Sequence, residues 1–226
     1  MMFNIIIKLF FLFSFIFTVQ VQSKDSCIRY FSIGNEQFCI PKYELLSECR
    51  FEDRLKFIFS SYKIPQHKIV AFYIDKTDWD NFKSTDKIVK EFDKKIIVMN
   101  SEMFSDKTIS YKDFYDIYKL TIQNYTKNND LANKFLKDQN LDIINDVPLI
   151  IEESEIINKS KSAIIIQNVK LEDVDYVNLF CFNSLLIRGK IITILYHIPY
   201  TDKNSIIQLR TKNDYFIRKF IQLNEK

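Results

Sequence analysis

The chain has 226 residues, 47% of them hydrophobic and 15% aromatic, with a formal net charge of +3. That is ample for one packed domain and argues against disorder over most of the chain. Two glycines in the whole chain exclude phosphate-cradling loops, dinucleotide fingerprints and the nucleophile elbow as motifs, and no basic cluster is dense enough to track a nucleic-acid backbone. The abundance of Ile, Lys, Asn, Phe and Tyr points to an AT-rich genome, so the lysine count says little about partners.

The N-terminus carries the clearest signal of destination. Residues 1–8 hold one positive charge, Lys8, residues 9–19 are almost wholly apolar, and Val21-Gln22-Ser23 precedes a plausible cut at Lys24. The expected organisation is a secretory signal peptide over 1–23 and a single domain over 24–226, periplasmic or secreted. Counted from Ile5 the apolar run reaches about 17 residues, near the lower limit for spanning a bilayer. Retention as an N-terminal anchor is the alternative, and only then is a membrane partner expected. Cys27 follows Lys24-Asp25-Ser26 and lacks the apolar lead-in of a lipid-anchored cysteine.

In chain order, residues 28–40 predict two short strands about Gly34-Asn35, closed by Pro41. Residues 50–62 fit a short helix or a strand equally. Residues 68–74 form an apolar run of strand length, and Thr77-Asp78-Trp79-Asp80 is a capping-box-like start to a short helix. Asp78 and Asp80 are read as capping and dipole residues, with a metal or acid pair as the costlier alternative. Residues 95–99 predict a strand, and Ser110 with Asp113 caps a long helix striped by Phe114, Ile117, Tyr118 and Ile122. Helical periodicity resumes over 131–144, residues 152–161 read as a polar surface connection, and residues 163–169 return to strand.

The densest apolar stretch comes last, and the rest of the fold is expected to form around it. Residues 175–187 and 190–198 form a hairpin across Arg188-Gly189, Pro199 closes it, and Thr201 or Asp202 caps a helix over about 204–223 with Ile206, Leu209, Phe216, Phe220 and Leu223 on one face. The fold class is therefore α+β: an antiparallel or mixed sheet with helices packed against it, a helical insertion in the middle, and a C-terminal β-hairpin plus helix.

Four cysteines, Cys27, Cys39, Cys49 and Cys181, permit three pairings in an oxidising compartment. At least one bridge is expected among the first three, and one from that group to Cys181 would tie the N-terminal segment to the late hairpin. Buried thiols are the alternative. The C-x11-C-x9-C spacing matches no zinc pattern and only two histidines exist, so no metal and no cofactor is expected. One catalytic constellation is worth weighing. A register that sets Cys181 opposite His197 would allow a thiolate–imidazolium pair, whereas a two-residue Arg188-Gly189 turn sends His197 to the other face.

The residues Phe31-Ser-Ile-Gly-Asn-Glu-Gln-Phe-Cys-Ile-Pro41, Lys68-Ile-Val-Ala-Phe-Tyr-Ile-Asp75, Ile109-Ser-Tyr-Lys-Asp-Phe114 and Leu186-Ile-Arg-Gly-Lys-Ile-Ile192, with the closing helix, resemble a group of uncharacterised exported proteobacterial proteins. More loosely, the order of elements is similar to the PsbP-like α/β sandwich. That resemblance implies a domain that binds or assembles partners, and it transfers no site residues. The expected function is thus a non-catalytic periplasmic or secreted protein-binding domain. The alternatives are a toxin-neutralising immunity-type protein and a cysteine-dependent enzyme using Cys181 and His197.

Overall fold

Turn chemistry and alternation build the first unit of the computed structural model, which describes residues 26–61, 64, 66–85, 92–127, 148–171 and 174–225. Strands β1 (Cys27–Ile33) and β2 (Glu36–Pro41) pair antiparallel across Gly34, whose φ of +56° a side chain rarely adopts. A Cβ there would also lie 2.5 Å from the Ser105 carbonyl oxygen. Inward-facing Ile33, Phe38 and Ile40 are buried, while Ile28 and Tyr30 point outward. Both the expected leader, 1–23, and the helix expected over 131–144 lie outside the described residues.

A seven-stranded sheet forms the centre, in the order β3 (Leu46–Glu48), β4 (His67–Asp75), β5 (Lys95–Ser101), β9 (Lys190–Pro199), β8 (Val174–Ile187), β7 (Ser160–Leu171), β6 (Leu149–Ser154). Every pairing in it is antiparallel, so the α+β expectation holds in its antiparallel form. Two meanders, β3–β5 and β6–β9, meet where β5 pairs β9. Strands β3 and β6 do not follow from the sequence pattern, and the stretch from 152, read as a polar connection, begins inside β6. A bulge between Ile150 and Glu152 breaks the alternation there. It also blunts the sheet edge against further pairing.

Helices cover both faces. Residues 50–62, ambiguous by pattern, form a 3-10 turn at Asp53–Leu55 and helix α1 (Lys56–Ser61), which buries Leu55, Ile58 and Phe59. Helix α2 (Lys76–Lys83) starts one residue before the expected Thr77, with Asp75 at its N-cap position and no side-chain cap bond. Helix α3 (Tyr111–Lys127) begins as expected: Ser110 Oγ accepts from the Asp113 amide at 3.2 Å and donates to the Asp113 carboxylate at 2.7 Å. Helix α4 (Lys203–Asn224) is capped by Asp202 and Ser205 in a reciprocal capping box.

On one face of the sheet, α4 and the β1–β2 hairpin share a continuous core, and this will be called the hairpin face. Phe216 is its centre, stacked on Tyr43 at 4.4 Å and edge-on to Tyr73 at 5.5 Å and Tyr196 at 6.2 Å. Burial of such a ring stabilises by about 2–3 kcal/mol. Polar ties fix the register of this layer. Asn183 donates to Asn213 at 2.8 Å and to the Ile194 carbonyl at 3.0 Å, Asn213 donates back to Asn183 at 2.9 Å, and Ser162 donates to Asn183, all buried. The Asn224 amide likewise pairs with both backbone groups of Cys39, at 2.6 and 3.0 Å. Arg29 reaches over to Glu48 of β3 at 3.1 Å and to the Val70 carbonyl of β4.

The opposite, helical face carries α1, α2 and α3 over three separate apolar clusters. One lies under α1 and α2, one under Tyr118 and Ile122 of α3, and one around Phe114. No helix among the described residues is long and apolar enough to cross a membrane.

Candidate functional site

Register settles the geometry of the one catalytic pair the sequence suggests. The Arg188-Gly189 turn holds φ of +50° and +73°, the two-residue hairpin turn with both central residues left-handed. It pairs Cys181 with Tyr196 and Phe180 with His197. Cys181 therefore points into the hairpin-face core and His197 into the helical face, and the structure does not bring them together. His197 stacks on Phe180 at 4.9 Å with Nδ1 3.2 Å from Asn178 Oδ1. Burial, and then the Lys95 ammonium, hold its pKa well below the usual histidine range. Burial pushes the Cys181 thiol up, the reverse of what a thiolate nucleophile needs.

The other cysteines divide as the first hairpin dictates. Cys27 and Cys39 lie on neighbouring strands with Cα atoms 5.6 Å apart and form a disulfide. Cys49 is a buried thiol that donates to the Phe72 carbonyl at 3.4 Å, its pKa raised chiefly by burial. No bridge reaches Cys181, and the late hairpin is joined to the N-terminal strands by packing and side-chain ties. Asp78 sits in the first turn of α2 and Asp80 pairs with Lys83 at 3.1 Å, both in local helix roles. Among the described residues no group of three or more His, Cys, Asp or Glu is placed to hold a metal. His67 opens β4.

A cleft of about 450 Å³ lies between α3 and the β6–β7 edge. Helix α3 presents Tyr115, Tyr118 and Lys119 to it, the strands present Glu153 and Lys161, and the β6–β7 connection presents Glu155. The Tyr118 hydroxyl donates to Glu153 at 3.1 Å, and burial together with that carboxylate pushes the phenol pKa up. Lys161 is ion-paired to Glu155, which raises its pKa, and its ammonium lies 5.2 Å from the centre of the Tyr115 ring. Tyr115 itself is 44% exposed. The bulge places Glu152 on the other face, where it pairs with Arg210 of α4. The sequence gives Tyr118 as a core residue and the glutamates as a surface run; nothing in it predicts that they meet across 35 positions.

No protein-family model matches the chain, and no curated protein matches its sequence. Among solved structures the chain is similar to the Ran-binding protein Mog1p of Saccharomyces cerevisiae, with a TM-score of 0.36 and 11% identity over 86% of this chain and 94% of that one. A mutant form of Mog1 gives the same TM-score and identity over 87% and 95%. A likeness of that order defines neither a partner nor a site.

Proposed function

We propose that this chain is an exported, non-catalytic domain that recognises a protein partner, and that the cleft between α3 and the β6–β7 edge makes the contact. The observation that carries this reading is the make-up of the cleft, where tyrosine rings, carboxylates and lysines share one open volume of about 450 Å³. Tyr111 and Leu120 are also exposed on α3. Tyrosine is among the side chains enriched where protein surfaces hold partners, and charged groups form the rim around such rings. Lys161 over Tyr115 already exercises the cation–ring chemistry such a contact would use.

Export, to the periplasm or the medium, is supported by the apolar leader and by the Cys27–Cys39 bridge, which is at home in an oxidising compartment. The motif resemblance to exported proteobacterial proteins agrees with it. An immunity-type protein would use the same surface, with a secreted toxin as the partner. The test is a photo-crosslinker in place of Tyr115 in cells that export the protein. One crosslinked protein is expected, lost in Glu153→Lys and not formed when the crosslinker replaces Ile207 on α4. Equal products at both positions, or none at Tyr115, removes the cleft from the reading.

A further inference from the structure

The outward side of β1 carries two large exposed side chains, Ile28 and Tyr30, beside Ser32, where nothing in the fold requires them. Inward residues of that strand pack on the sheet, yet Ile28 is 45% and Tyr30 57% exposed on the other side. The surface continues through the Lys42 amide, bonded to the Ser26 carbonyl at 2.8 Å, and through Lys219 of α4, which donates to the Lys42 carbonyl at 2.7 Å. Lys219 covers the Tyr43 ring at 4.7 Å, and Tyr43 lies 6.3 Å from Tyr215, itself 63% exposed. One connected surface thus runs from the first described residue to the outer side of α4, with aromatic and aliphatic side chains beside lysines.

The chain that leads into this surface is short. Four residues, 22–25, separate the apolar run over residues 5–21 from Ser26. The five steps from residue 21 to Ser26 span at most about 18 Å when extended. The headgroup layer on each side of a bilayer is itself several ångströms thick. If the run stays in a membrane, β1 begins at the interface, and the Cys27–Cys39 bridge holds its start against β2. Tyrosine at the headgroup level and lysine beside anionic lipid are the side chains that interface favours.

We infer that Ile28, Tyr30, Lys42 and the Tyr215–Lys219 side of α4 form the face this domain turns to a lipid bilayer, with Ile28 and Tyr30 entering the interfacial layer. The inference rests on the export reading in its anchored form. It leaves the α3 cleft, on the opposite side of the sheet, facing away from the membrane and open to a partner.

The single tryptophan, Trp79 of α2, sits on the helical face and serves as an internal control. The full chain is reconstituted in phosphatidylcholine–phosphatidylglycerol vesicles with brominated acyl chains, and tryptophan emission is compared with that in unbrominated vesicles. The native chain is expected to keep its Trp79 emission. A Trp79→Phe, Tyr30→Trp variant is expected to lose most of its emission, and a Trp79→Phe, Ile28→Trp variant to do the same. A Trp79→Phe, Tyr115→Trp variant is expected to keep it. All three positions replaced by tryptophan are exposed, and an unchanged melting temperature confirms the fold of each variant. A chain that floats with the vesicles while Tyr30→Trp stays bright, or while Tyr115→Trp dims equally, overturns the inference and leaves the anchored reading standing. A chain that does not float, or that exporting cells yield only with its first 23 residues removed and no affinity for these vesicles, overturns both.

Discussion

The two faces of the central sheet are built differently. The hairpin face is one continuous core in which α4, the β1–β2 hairpin and most of the strands share aromatic contacts and buried amide pairs. On the helical face the apolar residues fall into three clusters, and the cleft opens beside the cluster under α3. A continuous core resists local opening, whereas small clusters let one helix move without the rest. The hairpin face is therefore the scaffold, and the α3 end of the helical face rests on the two smaller clusters.

The sharpest way to break this contrast is to remove the centre of the scaffold. Phe216→Ala is expected to cost about 3–5 kcal/mol in denaturant unfolding and to speed amide exchange across the whole sheet. Next in size is Asn183→Leu, which leaves Asn213 and Ser162 in the interior with only their 3.4 Å bond to each other and is expected to cost about 2–3 kcal/mol. Adding Asn213→Leu should recover part of that loss, and a double-mutant cycle measures how much. On the other face, Ile122→Ala is expected to cost about 2 kcal/mol, with faster exchange confined to α3. Global exchange in that variant would erase the distinction between the faces.

The hairpin was legible in the sequence and its register was not. Gly189 marks the turn, but the choice between two registers depends on Arg188 also taking a positive φ, which no residue pattern announces. Caps at Ser110 and Asp202 were readable because a side-chain oxygen stands just before an apolar-periodic run. Strand β3 has three residues and β6 carries a bulge, so neither shows the alternation by which strands are recognised. The cleft exists only once α3 docks beside β6, a long-range event that local periodicity does not encode. The Cys27–Cys39 bridge follows from the first hairpin, whereas Cys49 and Cys181 differ from it only in where the sheet puts them.

Two smaller effects sharpen the comparison further. His197 is buried in its neutral form, with a folded pKa depressed below the ordinary value near 6.5. The unfolded chain therefore takes up a proton that the folded chain refuses. Its contribution to stability is complete above about pH 6.5 and is lost as the pH falls below it, at up to about 1.4 kcal/mol per pH unit. Unfolding of the native protein and His197→Asn across pH 7 to 5 should differ by that slope. Smallest of all, Glu153→Gln removes one exposed carboxylate from Tyr118 and is expected to change stability by less than about 0.5 kcal/mol while weakening partner crosslinking at Tyr115. A large stability loss there would make the cleft part of the scaffold after all.

The meeting of β5 with β9 sets an order of events for a growing chain. Every residue of β5 is buried, and one of its two flanking strands arrives only with residues 190–199. The amide pair between Asn224 and Cys39 joins positions 185 apart. Until residues 190–224 are present, the first half of the sheet has an open apolar edge and its hairpin has no helix to lie beside. Such late closure slows folding and leaves intermediates prone to aggregation.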